Sequence, residues 1–296
     1  MEKYNKLWLG ILIGVLASLV VGLVGYIVYD NASSKNDNEI VNNEDITDND
    51  IDSSQEQQKE VTVDLSLDNS IVKDLASRVV GVYTNNMMSL YENYFYKKDR
   101  IVMSEEDMSF KLSLAAESFS SFFGYDKTNY DCNTGICGIS FASEELIKDA
   151  YFDLFGKDAR YERTSFSVAT CQGRDGYVWS EENNRYESDV PDGCGGTSLD
   201  GTMSKLGYAK QITSSNLDRI ELYEYFTYEI AHDEGDTLFF NYYSDYNRTN
   251  LITSTTNRYS NEEFFNEFVD EVGIYKYTFE KDKYGTYVFT SVEKLK

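Results

Sequence analysis

One histidine, one isolated carboxylate and a group of tyrosines are the side chains whose placement would support chemistry or recognition. His232 is the single histidine of the 296-residue chain. It stands in Ala-His-Asp-Glu-Gly-Asp, where Asp233 or Asp236 would orient an imidazole acting as general base. No G-x-S-x-G motif accompanies it, and a solvated turn residue is the competing reading. Glu224 interrupts the apolar face of an alternating strand. An acid so placed is expected to be partly buried, and burial raises a carboxyl pKa. Glu224 is therefore the first candidate for one member of a carboxylate pair, which would cleave glycosidic bonds with the two groups about 5–9 Å apart. Exposure at a strand end, or pairing with Arg219 or Lys210, is the competing expectation.

Tyr223, Tyr225, Tyr242 and Tyr243, with Tyr246 beside them, are candidates for ligand binding. Tyrosine combines a large contact area with a polar tip, which suits glycan or protein partners. Ordinary packing on a half-buried sheet is the alternative. The four cysteines, Cys132, Cys137, Cys171 and Cys194, allow three pairings. Local closure favours Cys132–Cys137 and Cys171–Cys194. Their spacings, C-x4-C and C-x22-C, match neither zinc knuckles nor C-x-x-C redox pairs. Asp48, Asp50 and Asp52 resemble the start of a calcium loop, but Ser53 replaces the turn glycine and Lys59 stands where the closing glutamate is needed. No metal or cofactor is expected.

The elements that carry these residues follow from charge and periodicity. Residues 7–29 are 23 positions without a charge. As a helix rising about 1.5 Å per residue they span roughly 34 Å, enough for a hydrocarbon core of about 30 Å. A cleaved signal peptide would have a shorter apolar core and a small residue where Asp30 stands. Lys3 and Lys6 precede the span and acids follow it. The positive-inside rule therefore puts residues 1–6 in the cytoplasm as a short tail, and the rest outside. Tyr4, Trp8, Tyr26 and Tyr29 bracket the span as interfacial anchors. Gly10 and Gly14 form a GxxxG, which the ordinary abundance of glycine in membrane helices explains as well as dimerisation does.

Residues 30–60 hold ten acids against two bases, a net of −8, and no aromatic residue. Such a segment cannot bury enough apolar surface to offset its ordering entropy, and reads as a disordered tether. Residues 61–296 then form one extracytoplasmic domain of α+β class. Its first part reads as helices: one capped by Asp68 with Ile71, Val72, Leu75 and Val79 on its apolar face, one opened by a Ser104–Asp107 box, and one opened by Ser143 with Leu146, Ile147, Ala150, Tyr151 and Leu154 on its apolar face. Strands are expected at 165–169, 177–180, 185–188, 219–231 and 237–243. A capping box at Ser260–Glu263 then begins a helix running to Gly273, and a hairpin of 274–280 and 286–293 closes the chain. This order suggests an antiparallel sheet with helices on one face. A curved sheet of cystatin-like or nuclear-transport-factor-like form fits that order.

A net charge of −24 excludes a nucleic-acid partner on electrostatic grounds. The expected partners are the lipid bilayer, through residues 7–29, and an envelope protein or glycan. The expected role is a non-enzymatic interaction or accessory module of the cell envelope, single-pass with its N-terminus cytoplasmic. A carboxylate-based hydrolase of cell-wall glycosides is the alternative.

Overall fold

Short polar side chains that accept from first-turn amides set where the helices begin. In the computed structural model, which describes residues 60–79, 95–118, 124–126, 136–170, 173–191 and 201–296, helix α1 (Ser70–Val79) is capped by Asn69, whose Oδ1 accepts from the Ile71 amide at 2.9 Å. The expected cap, Asp68, pairs with Lys73 instead. Helix α2 (Met108–Ser118) begins at Asp107, which accepts from the Phe110 amide at 2.7 Å, and not at Ser104. Helix α3 (Glu144–Phe155) has Ser143 as its cap and ends at Gly156, whose φ of 90° suits glycine. Helix α4 (Asn261–Glu267) carries the full reciprocal capping box of Ser260 and Glu263. It stops at Phe268, short of the expected Gly273.

The chain divides between Glu56 and Gln57 into two units, and every described residue belongs to the second. The expected membrane span, nearly all of the tether, and Cys132, Cys171 and Cys194 lie outside the described residues. Cys137 falls in a strand whose backbone alone is described there. Among the described residues no helix is long and apolar enough to cross a membrane.

The fold is α+β and dominated by antiparallel sheet. The larger sheet has eight strands. Six run in the order β1 (Val61–Leu65), β8 (Gly201–Ser214), β9 (Leu217–Glu234), β12 (Gly273–Lys281), β13 (Tyr287–Lys294) and β2 (Arg100–Val102). The last two are β10 (Thr237–Tyr243), which pairs with the far half of β9, and β11 (Leu251–Thr255) beyond it. One edge of β9 therefore serves β12 along Arg219–Phe226 and β10 along Tyr228–Glu234. The smaller sheet orders β3 (Gly124–Asp126), β4 (Ile136–Ala142), β7 (Arg185–Pro191), β6 (Gly173–Ser180) and β5 (Phe166–Thr170).

Two sheets, not one, account for the positions of the helices. Leu114 of α2 and Leu154 of α3 join α1 in the core against the large sheet. Leu112, Ala115, Ala116, Ile147, Ala150 and Tyr151 of the same helices pack with Phe166, Tyr177 and Tyr186 of the small sheet. Buried on two sides, α2 carries apolar residues around most of its circumference. The inner face of the large sheet thus meets α1–α3, while α4 packs on its outer face with Met203, Phe240 and Tyr242. Two residues expected in the core, Ile71 and Leu146, are exposed, at 45% and 39%.

Candidate functional site

Glu224 is fully buried in the centre of the large sheet. It faces the helices, between Leu222 and Phe226, as the strand alternation requires. Tyr277 on β12 donates to its Oε2 at 2.6 Å, and Tyr96 donates to its Oε1 at 3.1 Å. Tyr275 lies directly across from Glu224 in the strand register and donates to the Tyr96 carbonyl at 3.3 Å. The Tyr96 ring packs on Phe226 at 4.0 Å and on Tyr275 at 4.8 Å. Burial pushes the Tyr277 hydroxyl well above the ordinary tyrosine range, and the neighbouring Glu224 carboxylate pushes it further. Tyr275 rises for the same two reasons. Both hydroxyls therefore stay protonated as donors, Tyr277 to the acid and Tyr275 to the Tyr96 carbonyl. The expectation of strand-end exposure, or of pairing with Arg219 or Lys210, is corrected: Arg219 sits 3.2 Å from Glu221, and tyrosines hold Glu224.

His232 lies on the same face of β9 as Glu224 but eight residues further on. At about 3.3 Å per residue the two are separated by roughly 26 Å along the strand, too far to act on one substrate bond. His232 pairs across the hairpin with Phe239, on whose ring it stacks at 5.7 Å. Its Nε2 is 3.3 Å from Glu234, the neighbour not expected from the sequence, and neither Asp233 nor Asp236 takes that position.

The candidate tyrosines separate by face and by burial. Tyr242 is fully buried beneath α4 against Phe264. Tyr243 points to the opposite face of β10. Tyr223 and Tyr225 lie on the outer face of β9, and a residue that the sequence reading passed over joins them there. Tyr208 of β8 stacks on Tyr223 with ring centroids 4.2 Å apart and planes 15° from parallel. A bulge at Gly207 sets this geometry by shifting the β8 register between Leu206 and Tyr208. Glycine leaves room for the Tyr225 ring, because an added Cβ would stand 2.6 Å from it and displace that side chain. Tyr223 donates to Glu221 at 2.6 Å, and burial followed by that bond raises its pKa.

Three cross-strand rows make up this outer face beyond Tyr225. One row runs Tyr208, Tyr223, Lys276, Glu293 and Arg100. The next runs Asp64, Lys210, Glu221, Thr278, Ser291 and Val102. The third runs Thr62, Ile212, Arg219, Glu280 and Val288. The four bases of these rows (Lys276, Arg100, Lys210, Arg219) match four acids (Glu293, Asp64, Glu221, Glu280), so the face is electroneutral within a chain of net −24. Lys276 pairs with Glu293 at 2.9 Å. None of these residues belongs to the apolar cluster beneath α4.

Two shallow cavities lie elsewhere, along α3. One of about 470 Å³ is lined by Ser143, Glu144, Glu145, Lys148, Asp149, Phe152 and Asn184. The second, about 310 Å³, shares Asp149 and Phe152 and reaches Asp282. Glu144 at the rim is held below the usual carboxylate range, first by hydrogen bonds from Arg163, against an opposing effect of burial, and then by Lys148. Neither cavity contains Glu224, His232 or any of the candidate tyrosines. Among the described residues no group of three or more histidine, cysteine or acidic side chains is placed to hold a metal ion. No family model, curated protein or solved structure matches the chain.

Proposed function

We propose that the protein is a membrane-anchored, extracytoplasmic interaction module of the cell envelope, and that the outer face of its large sheet is the contact surface. Residues 7–29 would hold it in the bilayer, with the N-terminus cytoplasmic, and the acidic segment 30–60 would tether the folded unit outside. The four cysteines would then sit where disulfides persist. We read the large sheet as curved, in the manner of cystatin-like and nuclear-transport-factor-like folds, because β9 passes one edge from β12 to β10.

The observation that carries the reading is the outer face of charge-balanced rows, exposed at Thr62, Asp64, Arg100 and Glu280 and buried at Ile212, Glu221, Tyr223 and Thr278, with its stacked Tyr208–Tyr223 pair. The geometry favours it over a carboxylate-based hydrolase. The acid singled out for catalysis is enclosed by core side chains and lines neither cavity along α3. A general acid must reach the oxygen that it protonates.

In-cell photo-crosslinking of the full chain tests this. Ser291→p-benzoylphenylalanine places the probe in the middle row of the outer face, on β13 beside the β2 edge, and Val178→p-benzoylphenylalanine places it at an exposed position on the small sheet. Light-dependent adducts to an envelope component are expected from position 291 and not from position 178. Adducts from 178 alone, or from neither, would remove the outer face as the contact surface.

A further inference from the structure

We propose that Tyr208 is a stacking platform for the rings of an uncharged oligosaccharide; this deepens the interaction-module reading and rests on it. The Tyr208 ring has one face against Tyr223. Lys210 does not take the other. Its ammonium is 5.5 Å from the Tyr208 centroid and 5.7 Å from the Tyr223 centroid. A cation above the free face of Tyr208 would be farther from Tyr223 by the stacking distance, so Lys210 sits beside the pair. Nor, among the described residues, does a neighbouring strand fill the space. β1 ends at Leu65, paired with Ala209, so the register offers no β1 residue opposite Tyr208. Tyr208 is half-buried, and among the described residues no paired strand stands against the second face of its ring.

The surroundings select the ligand. Exposed Asp64 and Lys205, with half-buried Lys210, border the ring and supply both an acceptor and donors for sugar hydroxyls. A flat ring between such groups suits the C–H face of a pyranose with its equatorial hydroxyls directed outward. A protein partner fits less well, because the cores of protein interfaces are depleted in charge, whereas Lys276 and Glu293 stand in the same row as the platform. Charge decides between saccharides. The three rows carry no net charge, Lys205 beside the platform adds a single base, and the chain as a whole, at −24, repels a polyanion.

Saturation-transfer NMR on full-length protein in detergent tests the inference, with chitotetraose and cellotetraose as uncharged probes and polyglycerol phosphate as the anionic probe. Saturation transfer to the ring protons of at least one uncharged oligomer is expected, with none to the polyanion. Tyr208→Leu keeps apolar packing on Tyr223 but removes the aromatic face, and should weaken binding at least about tenfold. Tyr208→Trp should retain or tighten it. Tyr284→Ala, at an exposed tyrosine elsewhere, should leave it unchanged. Equal binding by wild type and Tyr208→Leu would overturn the platform. Preference for the polyanion would overturn the uncharged class. Absence of sugar binding while position 291 still gives adducts to an envelope protein would sink the glycan inference alone. Absence of both would sink the underlying reading as well.

Discussion

Glu224→Ala is expected to destabilise the folded unit by about 3–5 kcal/mol. The substitution leaves the Tyr277 and Tyr96 hydroxyls without the carboxylate to which they donate, in a site closed to water. Each buried hydroxyl so stranded costs about 1–3 kcal/mol, and the space vacated by the side chain adds a cavity cost. Glu224→Gln retains one oxygen acceptor and nearly the same volume, so its cost should be smaller, about 1–2 kcal/mol. Urea unfolding of the full-length protein, followed by far-ultraviolet circular dichroism, measures both. An alanine variant within about 0.5 kcal/mol of wild type, the range of ordinary surface substitutions, would show that the carboxylate is not a structural element of the core. It would then again become a candidate for catalysis.

Gly273→Ala carries the second large effect. Gly273 opens β12 and is buried, and an added Cβ would lie 2.4 Å from the Ser244 carbonyl oxygen. That carbonyl cannot easily withdraw. The Ser244 amide is bonded to the Asn250 carbonyl, and the buried Asp245 carboxylate accepts from the Thr249 and Asn250 amides, which ties the β10–β11 connection in place. Burial raises the Asp245 pKa, but these bonds outweigh it and hold the group below the usual carboxylate range. Forced overpacking of this kind costs about 3 kcal/mol. For a unit of this size that lowers the melting temperature by roughly 6–12 °C. Gly201→Ala is the control, since nothing lies within 4 Å of its added Cβ. A calorimetric scan showing equal melting temperatures for the two variants would contradict the close approach at Gly273.

The parts of this fold that could be read from sequence are those set by local chemistry. The Ser260 box needs only residues three apart, and it is present as expected. The hairpin at Asp233–Asp236 is equally local: Gly235 takes a φ of 65°, and β10 covers the expected residues. Cap choice was less legible, because Ser104 and Asp107 compete within one turn and the later residue wins. Strand β8 escaped notice for a physical reason. Its bulge at Gly207 shifts the alternation, so Met203, Tyr208 and Ile212 face outward while Leu206 and Ala209 face inward. No period of two survives across the whole strand. Strand β1 has exposed Val61 and Val63 and lacks the buried face that makes a strand stand out.

The same division holds for the candidate sites. Glu224 was visible as an acid on an apolar face, but its partners were not, since Tyr96 lies 128 residues away and Tyr277 53. Tyr208 carried no signal of its own. Its importance depends on cross-strand pairing with Tyr223, which no local pattern encodes. The membrane span and three of the four cysteines fall outside the described residues, and only the backbone of Cys137 is described, so these expectations stand as part of the proposed function.

The compartment is the claim on which the contact surface, the disulfides and the glycan partner all depend. Protease added to intact cells expressing the chain with a C-terminal epitope measures it directly. The proposal predicts loss of the epitope without lysis, while a cytoplasmic marker survives. An epitope that persists in intact cells, and disappears only after lysis, would place residues 61–296 on the cytoplasmic side and contradict the account.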